Sequence, residues 1–410
     1  MNEQNDKRRI QSMVYSRQLS STERAYVVYN ECCPPFLNQL FWEGTGYFDL
    51  PKWREAVKIA SEANPGSRVV VKGITALARL VDTGKIPPVI EVDGSSWDGL
   101  GPEGAPARLR ETLNPFEGPT SEVVLIHGNP LRVVFRTMHA TMDGRGTVTW
   151  VEDIFRCLRG EDPLGSDSRI TEFEIAATFQ KKGRKGPVPE FIAPTGMPQG
   201  DQPGVIWRRR RYPGRYSNVI GQVAILLARE AWRYQEGKFR VAIPVDMRAR
   251  VEGLRSTGNL TNLIYAEISP STTPADVSKD IKRQLEARHD GMIYWGDRPI
   301  RFLPLWMLKK FIVSNIATKN RTGRYPNSGV LTNMGRIPVY SGGGFEGKYT
   351  WGIPPGQEYS PIFIGMCNGD DDMTLIYSMP NVLASRERLE TLMEHIQQGL
   401  IASNTDAKKG

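Results

Sequence analysis

Histidine and cysteine are both scarce in this chain, at four each among 410 residues. Cys32, Cys33, Cys157 and Cys367 are too few and too scattered for a disulfide framework. Cys32 and Cys33 are adjacent, but no His or Cys follows at ligand spacing. Free structural thiols are therefore expected, with no metal site. No apolar run approaches the roughly 18 residues a membrane span needs. The N-terminal stretch MNEQNDKRRIQSMVYSRQLSSTERAY is polar and has no apolar core of a secretory signal, so a cytoplasmic address is expected. No motif recurs at a period of roughly 20–50 residues, which sets repeat architectures aside.

What is present is ordinary for a globular protein: 40% hydrophobic and 24% charged residues. The length exceeds what one core organises and points to two lobes. Fifty-three basic against 45 acidic residues give a net charge of +8. Much of the excess is local, in KKGRKG (Lys181–Gly186) and RRRR (Arg208–Arg211). Such runs suit a solvated linker and an exposed strand edge, or the docking of nucleic acid, a phosphate-bearing cofactor or an acidic protein.

AYVVYNE (Ala25–Glu31) reads as a short strand, and LPKWREAVKIASEAN (Leu50–Asn64) as a helix with one apolar face. SEVVLIHGNPLRVVFRTMHA parses as strand, turn and strand. TVTWVEDIFRCLRG follows as a helix, with Val148, Val151, Ile154, Phe155 and Leu158 on one stripe and Gly160 past its end. From 181 to 206 Gly, Pro and Lys dominate and periodicity is lost, which reads as a crossover linker. The second half again alternates helices and strands, including SNVIGQVAILLAREAWRY, KFRVAIPVDMR, NLTNLIYAEI and SGVLTNMG. The expected division is a first lobe over 1–180, a linker over 181–206 and a second lobe over 207–410.

One of the four histidines falls between a core strand and a core helix, in RTMHATMDGRG (Arg136–Gly146). Such turns present side chains at an edge where sites are built. His139 is suited to take a proton near neutral pH. Asp143, four residues on, either orients the imidazole or anchors the loop through an arginine. A short turn does not readily let both side chains converge, which favours anchoring. Gly144 exposes an N–H without side-chain cover, suited to an oxyanion. His127 beside a turn, His289 at a helix end and His395 on the closing helix read as structural. Gly342–Gly344 reads as a flexible turn, because no Lys-Ser/Thr pair follows to make a phosphate loop.

The run His139-Ala140-Thr141-Met142-Asp143-Gly144 resembles the HxxxDG motif of the chloramphenicol acetyltransferase-like superfamily. Condensation domains of nonribosomal peptide synthetases and plant-type acyltransferases belong to that superfamily. FRVAIPVDMR followed by STGNLTN resembles its second-lobe strand, closed by an arginine and followed by a Gly-Asn pair. VLTNMG (Val330–Gly335) resembles another second-lobe strand. Trp351, Gly352 and Pro354 match a Trp-Gly-x-Pro motif of plant-type members, without its preceding Asp-Phe. Condensation domains usually carry two adjacent histidines, and here the first is replaced by Met138.

The resemblance implies an α/β (α+β) fold of two lobes in a V with a central tunnel. It implies an acyltransferase or condensation enzyme, with His139 as general base and Gly144 at the oxyanion. Asp143 would pair with Arg248, and Met138 and Asn333 would contact substrate. No permanent cofactor is implied. The co-substrate would be acyl-CoA or a phosphopantetheinyl thioester on an acyl or peptidyl carrier protein, which the basic linker and Arg208–Arg211 would dock. A small-molecule alcohol or amine would be the acceptor. Met138 also admits an alternative, a catalytically silent docking or scaffold protein, against which His139, Asp143 and Arg248 argue. A nucleic-acid-binding reading of the basic runs gives no reason for the His-Asp-Gly spacing.

Overall fold

The protein is described here as a computed structural model covering residues 14–75, 77–179, 188–293, 300 and 302–407. The Lys181–Gly186 run lies outside them. In the first half the order is β1 (Ser16–Gln18), α1 (Ser21–Cys32), β2 (Leu37–Gly46), α2 (Leu50–Ala63), β3 (Val69–Lys72), β4 (Arg79–Asp82), β5 (Val89–Asp93), β6 (Ser121–His127), β7 (Leu131–Met138), α3 (Gly144–Leu158) and α4 (Glu172–Thr178). The second half holds β8 (Val205–Pro213), α5 (Val219–Tyr234), β9 (Phe239–Asp246), β10 (Thr261–Ile268), α6 (Pro274–Glu286), α7 (Leu305–Thr322) and β11 (Gly329–Asn333). It ends with β12 (Ser341–Gly342), β13 (Phe345–Ile353), β14 (Phe363–Asn368), β15 (Asp372–Pro380), α8 (Asn381–Ala384) and α9 (Arg388–Ala407).

Two mixed six-stranded sheets form the frame, in the orders β12-β13-β2-β7-β6-β5 and β10-β9-β11-β14-β15-β8. A small β1-β4-β3 sheet accompanies them. The first sheet buries Trp42, Val123, Leu125, Val133 and Phe135 against the apolar faces of α2 and α3. The second buries Val241, Ile243, Leu331, Ile364 and Leu375 under α5, α6 and α9. The opposite faces of the two sheets share a further core, where Phe41, Val124 and Val134 meet Trp207, Trp351 and Ile376. The β6–β7 hairpin and helix α3 lie where the apolar pattern places them.

Four readings are corrected. Ala25–Glu31 is part of helix α1, not a strand. Ser20 and Glu23 close a capping box at its start. Val27, Val28, Tyr29 and Asn30 are all buried, so no one-sided stripe marks the helix. The C-terminal part of the expected 181–206 linker is not free chain: Phe191 bridges Lys238 and Tyr325, and Ile192 and Ala193 join the second core.

The boundary at 207 also fails to divide the lobes. β13 returns to the first sheet and pairs antiparallel with β2 from Phe345↔Gly46 to Ile353↔Gln39. Trp351 stacks on Phe41 at 4.1 Å and 4°. Leu305, Leu308 and Ile312 of α7 pack with α1 and the small sheet. Finally, Gly342–Gly344 is a packed turn. An added Cβ at Gly343 would fall 2.7 Å from Leu158 and 2.9 Å from Trp53.

RRRR lies on β8, an edge strand as expected, but each arginine has a partner. Arg208 pairs with Glu103 and Glu390, Arg210 donates to Gln397, and Arg211 pairs with Asp372. Arg209 reaches across to the first sheet, to Glu43 at 2.8 Å, and lies 4.3 Å over Trp351. Arg132 holds the same carboxylate at 2.9 Å. The run is largely engaged within the fold, which removes the basis for reading it as a free docking surface.

Candidate active site

Strand β7 ends at Met138, and the chain turns through His139–Asp143 into α3. Three anchors hold the turn. Asn38 on β2 donates to the Met142 carbonyl at 2.8 Å. Asn259 donates to the His139 carbonyl at 3.1 Å. Thr141 donates its hydroxyl to the Met138 carbonyl at 2.9 Å.

Asp143 is the N-cap of α3 and accepts from the Gly146 N–H at 2.6 Å. It also accepts from both terminal nitrogens of Arg248 at 3.0 Å, from the Leu260 N–H at 2.7 Å and from the Thr261 hydroxyl at 3.0 Å. Burial opposes its charge, yet Arg248 and these N–H groups hold its carboxyl below the usual carboxylate range. Arg248 follows β9 on a short 3-10 turn and is bound in turn by Asp246 and by the carbonyls of Ser256 and Gly258. The aspartate thus faces the second half of the chain. It ties the turn to that half.

The His139 ring is stacked on Tyr26 of α1, with centroids 4.5 Å apart and planes at 22°. Phe36 lies at 5.5 Å on a tilted plane. Nδ1 is 3.3 Å from the Met142 carbonyl. A carbonyl only accepts, so this contact places the ring proton on Nδ1 and the lone pair on Nε2. Burial lowers the pKa of His139 below the usual histidine value, against the opposing pull of the Met142 carbonyl and Asp143. The imidazole is therefore neutral at neutral pH and able to accept a proton.

His139, Asp143 and Gly144 line a cavity of about 420 Å³ between the two sheets. Its walls come from both halves: Tyr26, Asn38 and Leu40 on one side, Pro244, Asp246, Thr261, Leu263 and Val330 on the other. Residues 332–334 and 352–355, with Arg145, Gln357, Phe363, Gly365 and Cys367, line the remainder. Asn333 lines the cavity, and its Oδ1 accepts from the Gly335 N–H at 2.8 Å. Met138 does not line it. Its side chain is buried in the core beneath α1 with Phe36 and Leu37, which corrects its assignment to substrate contact.

Tyr26, Arg145, Asp246 and Thr261 belong to the cavity wall but escape sequence reading. Tyr26 was hidden by reading α1 as a strand. Arg145 sits inside the quoted run and had no recognisable role there. Asn259 follows Gly258 in the Gly-Asn pair already noted, and its link to the His139 turn is tertiary. Among the described residues, no cluster of His, Cys, Asp and Glu is arranged to hold a metal. The four cysteines are free, and burial pushes the Cys367 thiol on the cavity wall up to about 12. His127 binds Glu91 at 2.9 Å and His395 lies 3.9 Å from Glu230. No helix is long and apolar enough to cross a membrane, among the described residues.

No family model matches the chain, and no curated protein matches it. Solved structures do. A mutant of the starter condensation domain of rhizomide synthetase RzmA, in complex with C8-CoA and Leu-SNAC, has a TM-score of 0.65 at 12% identity, covering 94% of each chain. A second mutant of that domain, with C8-CoA, scores 0.63 at 13% identity over 96% of each chain. The first condensation domain of the calcium-dependent antibiotic synthetase, with substrate analogue 3a, scores 0.64 at 16% identity over 94% of this chain and 95% of that one. The chain has the condensation-domain fold along nearly its whole length.

Proposed function

We propose that the protein is an acyltransferase that joins an acyl thioester to an alcohol or amine acceptor, with His139 as general base. The observation that carries this reading is a neutral, firmly held imidazole on the wall of a chamber between two lobes. Asp143 is engaged with Arg248 and holds the turn that carries this ring.

The acceptor's O–H or N–H gives its proton to Nε2 of His139 as the oxygen or nitrogen attacks the thioester carbonyl. A C–O or C–N bond forms, the C–S bond breaks, and the proton passes to the departing thiolate. No acyl-enzyme is needed. Holding both molecules in one chamber supplies much of the rate, because they react as if intramolecular. The Gly144 N–H, at the first turn of α3 and on the cavity wall, is the donor for the developing oxyanion. Asn333 is a polar wall residue that contacts a bound substrate.

The thioester would be carried by CoA or by the phosphopantetheine of a carrier protein. The bound C8-CoA in the RzmA domain supports the former class. A purely scaffolding role leaves the neutral imidazole and the chamber it faces without use. The test is to incubate the full chain with a panel of acyl-CoA and acyl-carrier thioesters and mixed amine and alcohol acceptors, read by mass spectrometry. A product formed by the native chain and absent with His139→Ala is the expected result. No product from any donor class, or equal product from both proteins, overturns the reading.

A further inference from the structure

The chemistry above leaves one charged group on the chamber wall without a task. Arg145 directly follows Gly144 and is half-buried. One terminal nitrogen donates to the Met334 carbonyl at 2.7 Å, its one side-chain hydrogen bond among the described residues. No carboxylate there forms an ion pair with it.

The other ionisable groups of the wall do not balance it. Asp143 and Asp246 are both bonded to Arg248, at 3.0 and 2.8 Å. His139 is neutral at neutral pH, and burial raises the Tyr26 hydroxyl and the Cys367 thiol so that neither ionises. A partly desolvated guanidinium is costly unless it is paired, and this one keeps N–H groups to donate. Beside it, Asn333 uses its side-chain oxygen on the Gly335 N–H, which leaves its NH₂ as a further donor.

We propose that Arg145 recognises a carboxylate on one of the two molecules joined at His139, a proposal that rests on the acyl-transfer reading above. The planar fork of arginine matches the two oxygens of a carboxylate through parallel N–H bonds. The surrounding wall includes Leu40, Leu263, Val330, Ile353 and Phe363, which suits the carbon skeleton of an organic acid. The carboxylate belongs either to the far end of a dicarboxylic acyl group or to an amino-acid acceptor. In both cases Arg145 is a specificity residue and not part of the proton transfer.

Equilibrium binding to the full chain tests this without requiring turnover. Glutaryl-CoA is compared with pentanoyl-CoA, and L-leucine with leucinamide, by titration calorimetry. In one of the pairs the native protein should favour the carboxylate by at least about ten-fold, as expected for a charge-assisted bidentate contact. That ratio should fall towards one in Arg145→Gln and only partly in Arg145→Lys, which keeps the charge and loses the fork. The pair that discriminates identifies the source of the carboxylate. Equal affinity within both pairs, absence of binding by all four probes, or a preference that survives Arg145→Gln would each overturn the proposal. Turnover measured in parallel separates the two claims. Transfer without carboxylate preference rejects Arg145 alone, and preference without transfer rejects the proposed reaction.

Discussion

Asp143 and Arg248, 105 positions apart in the chain, meet through two hydrogen bonds of 3.0 Å. The pair joins the turn that carries His139 to the end of a strand in the other sheet. Neither residue touches the imidazole through a hydrogen bond. The relationship is structural, and it sets where the histidine stands relative to the second lobe.

Asp143→Ala leaves Arg248 buried with a reduced set of acceptors and removes the N-cap of α3. A loss of about 3–5 kcal/mol is expected for breaking a buried pair from one side. Chemical denaturation measures it. A variant as stable as the native protein yet inactive would move Asp143 into the chemistry.

His139→Ala should lower turnover by at least about two orders of magnitude, the scale of general-base catalysis, with little change in thermal midpoint. The pH dependence adds a sign. Because burial lowers the His139 pKa, the active neutral form persists below the usual histidine value, so kcat/KM should fall only when pH drops through that lowered pKa. The unfolded chain binds the proton more readily across that window, so stability should also fall as pH descends from about 6.5.

Gly146→Ala tests how closely the lobes meet. An added Cβ would fall 2.3 Å from the Thr257 carbonyl oxygen, a backbone atom that cannot swing away. A destabilisation of about 1–3 kcal/mol is expected from such overpacking, together with loss of activity as the α3 terminus moves from Arg248. Gly144→Ala is the contrasting case. Its Cβ meets only the flexible end of Met334, at 2.9 Å, so folding should survive.

Lys319 on α7 is buried, and its amine has no hydrogen-bond partner among the described residues. It lies 2.8 Å over the Tyr359 ring centroid, and burial lowers its pKa to about 7. The unfolded chain then holds more protons between about pH 7 and the ordinary lysine value. Stability should accordingly rise with pH across that interval. Lys319→Met should flatten this rise and raise the thermal midpoint at pH 7. An unchanged pH profile would show that the amine finds water or an anion.

Local pattern carried the hairpin β6–β7, helix α3 and the placing of His139 between them, because alternation and the 3.6-residue stripe are properties of contiguous residues. The same logic misread α1, which is buried on most sides and lacks a stripe. It also set the lobe boundary at 207, since the apolar residues of β13 say that it is a strand and not which sheet edge it joins. The free edge of β2 and the Phe41–Trp351 stack decided that.

Within the site, the His-x-x-x-Asp-Gly spacing points to His139, Asp143 and Gly144, and the resemblance of FRVAIPVDMR to a second-lobe strand points to Arg248. Tyr26, Arg145 and Asn259 were decided only in three dimensions. Tyr26 comes from α1, and Asn259 from the loop leading to β10. Arg145 gains meaning only because no carboxylate among the described residues pairs with it. A sequence records which charges and rings are available. Burial and the partner each one meets are sums over residues distant in the chain, and the folded geometry alone sets the sign and strength of those contacts.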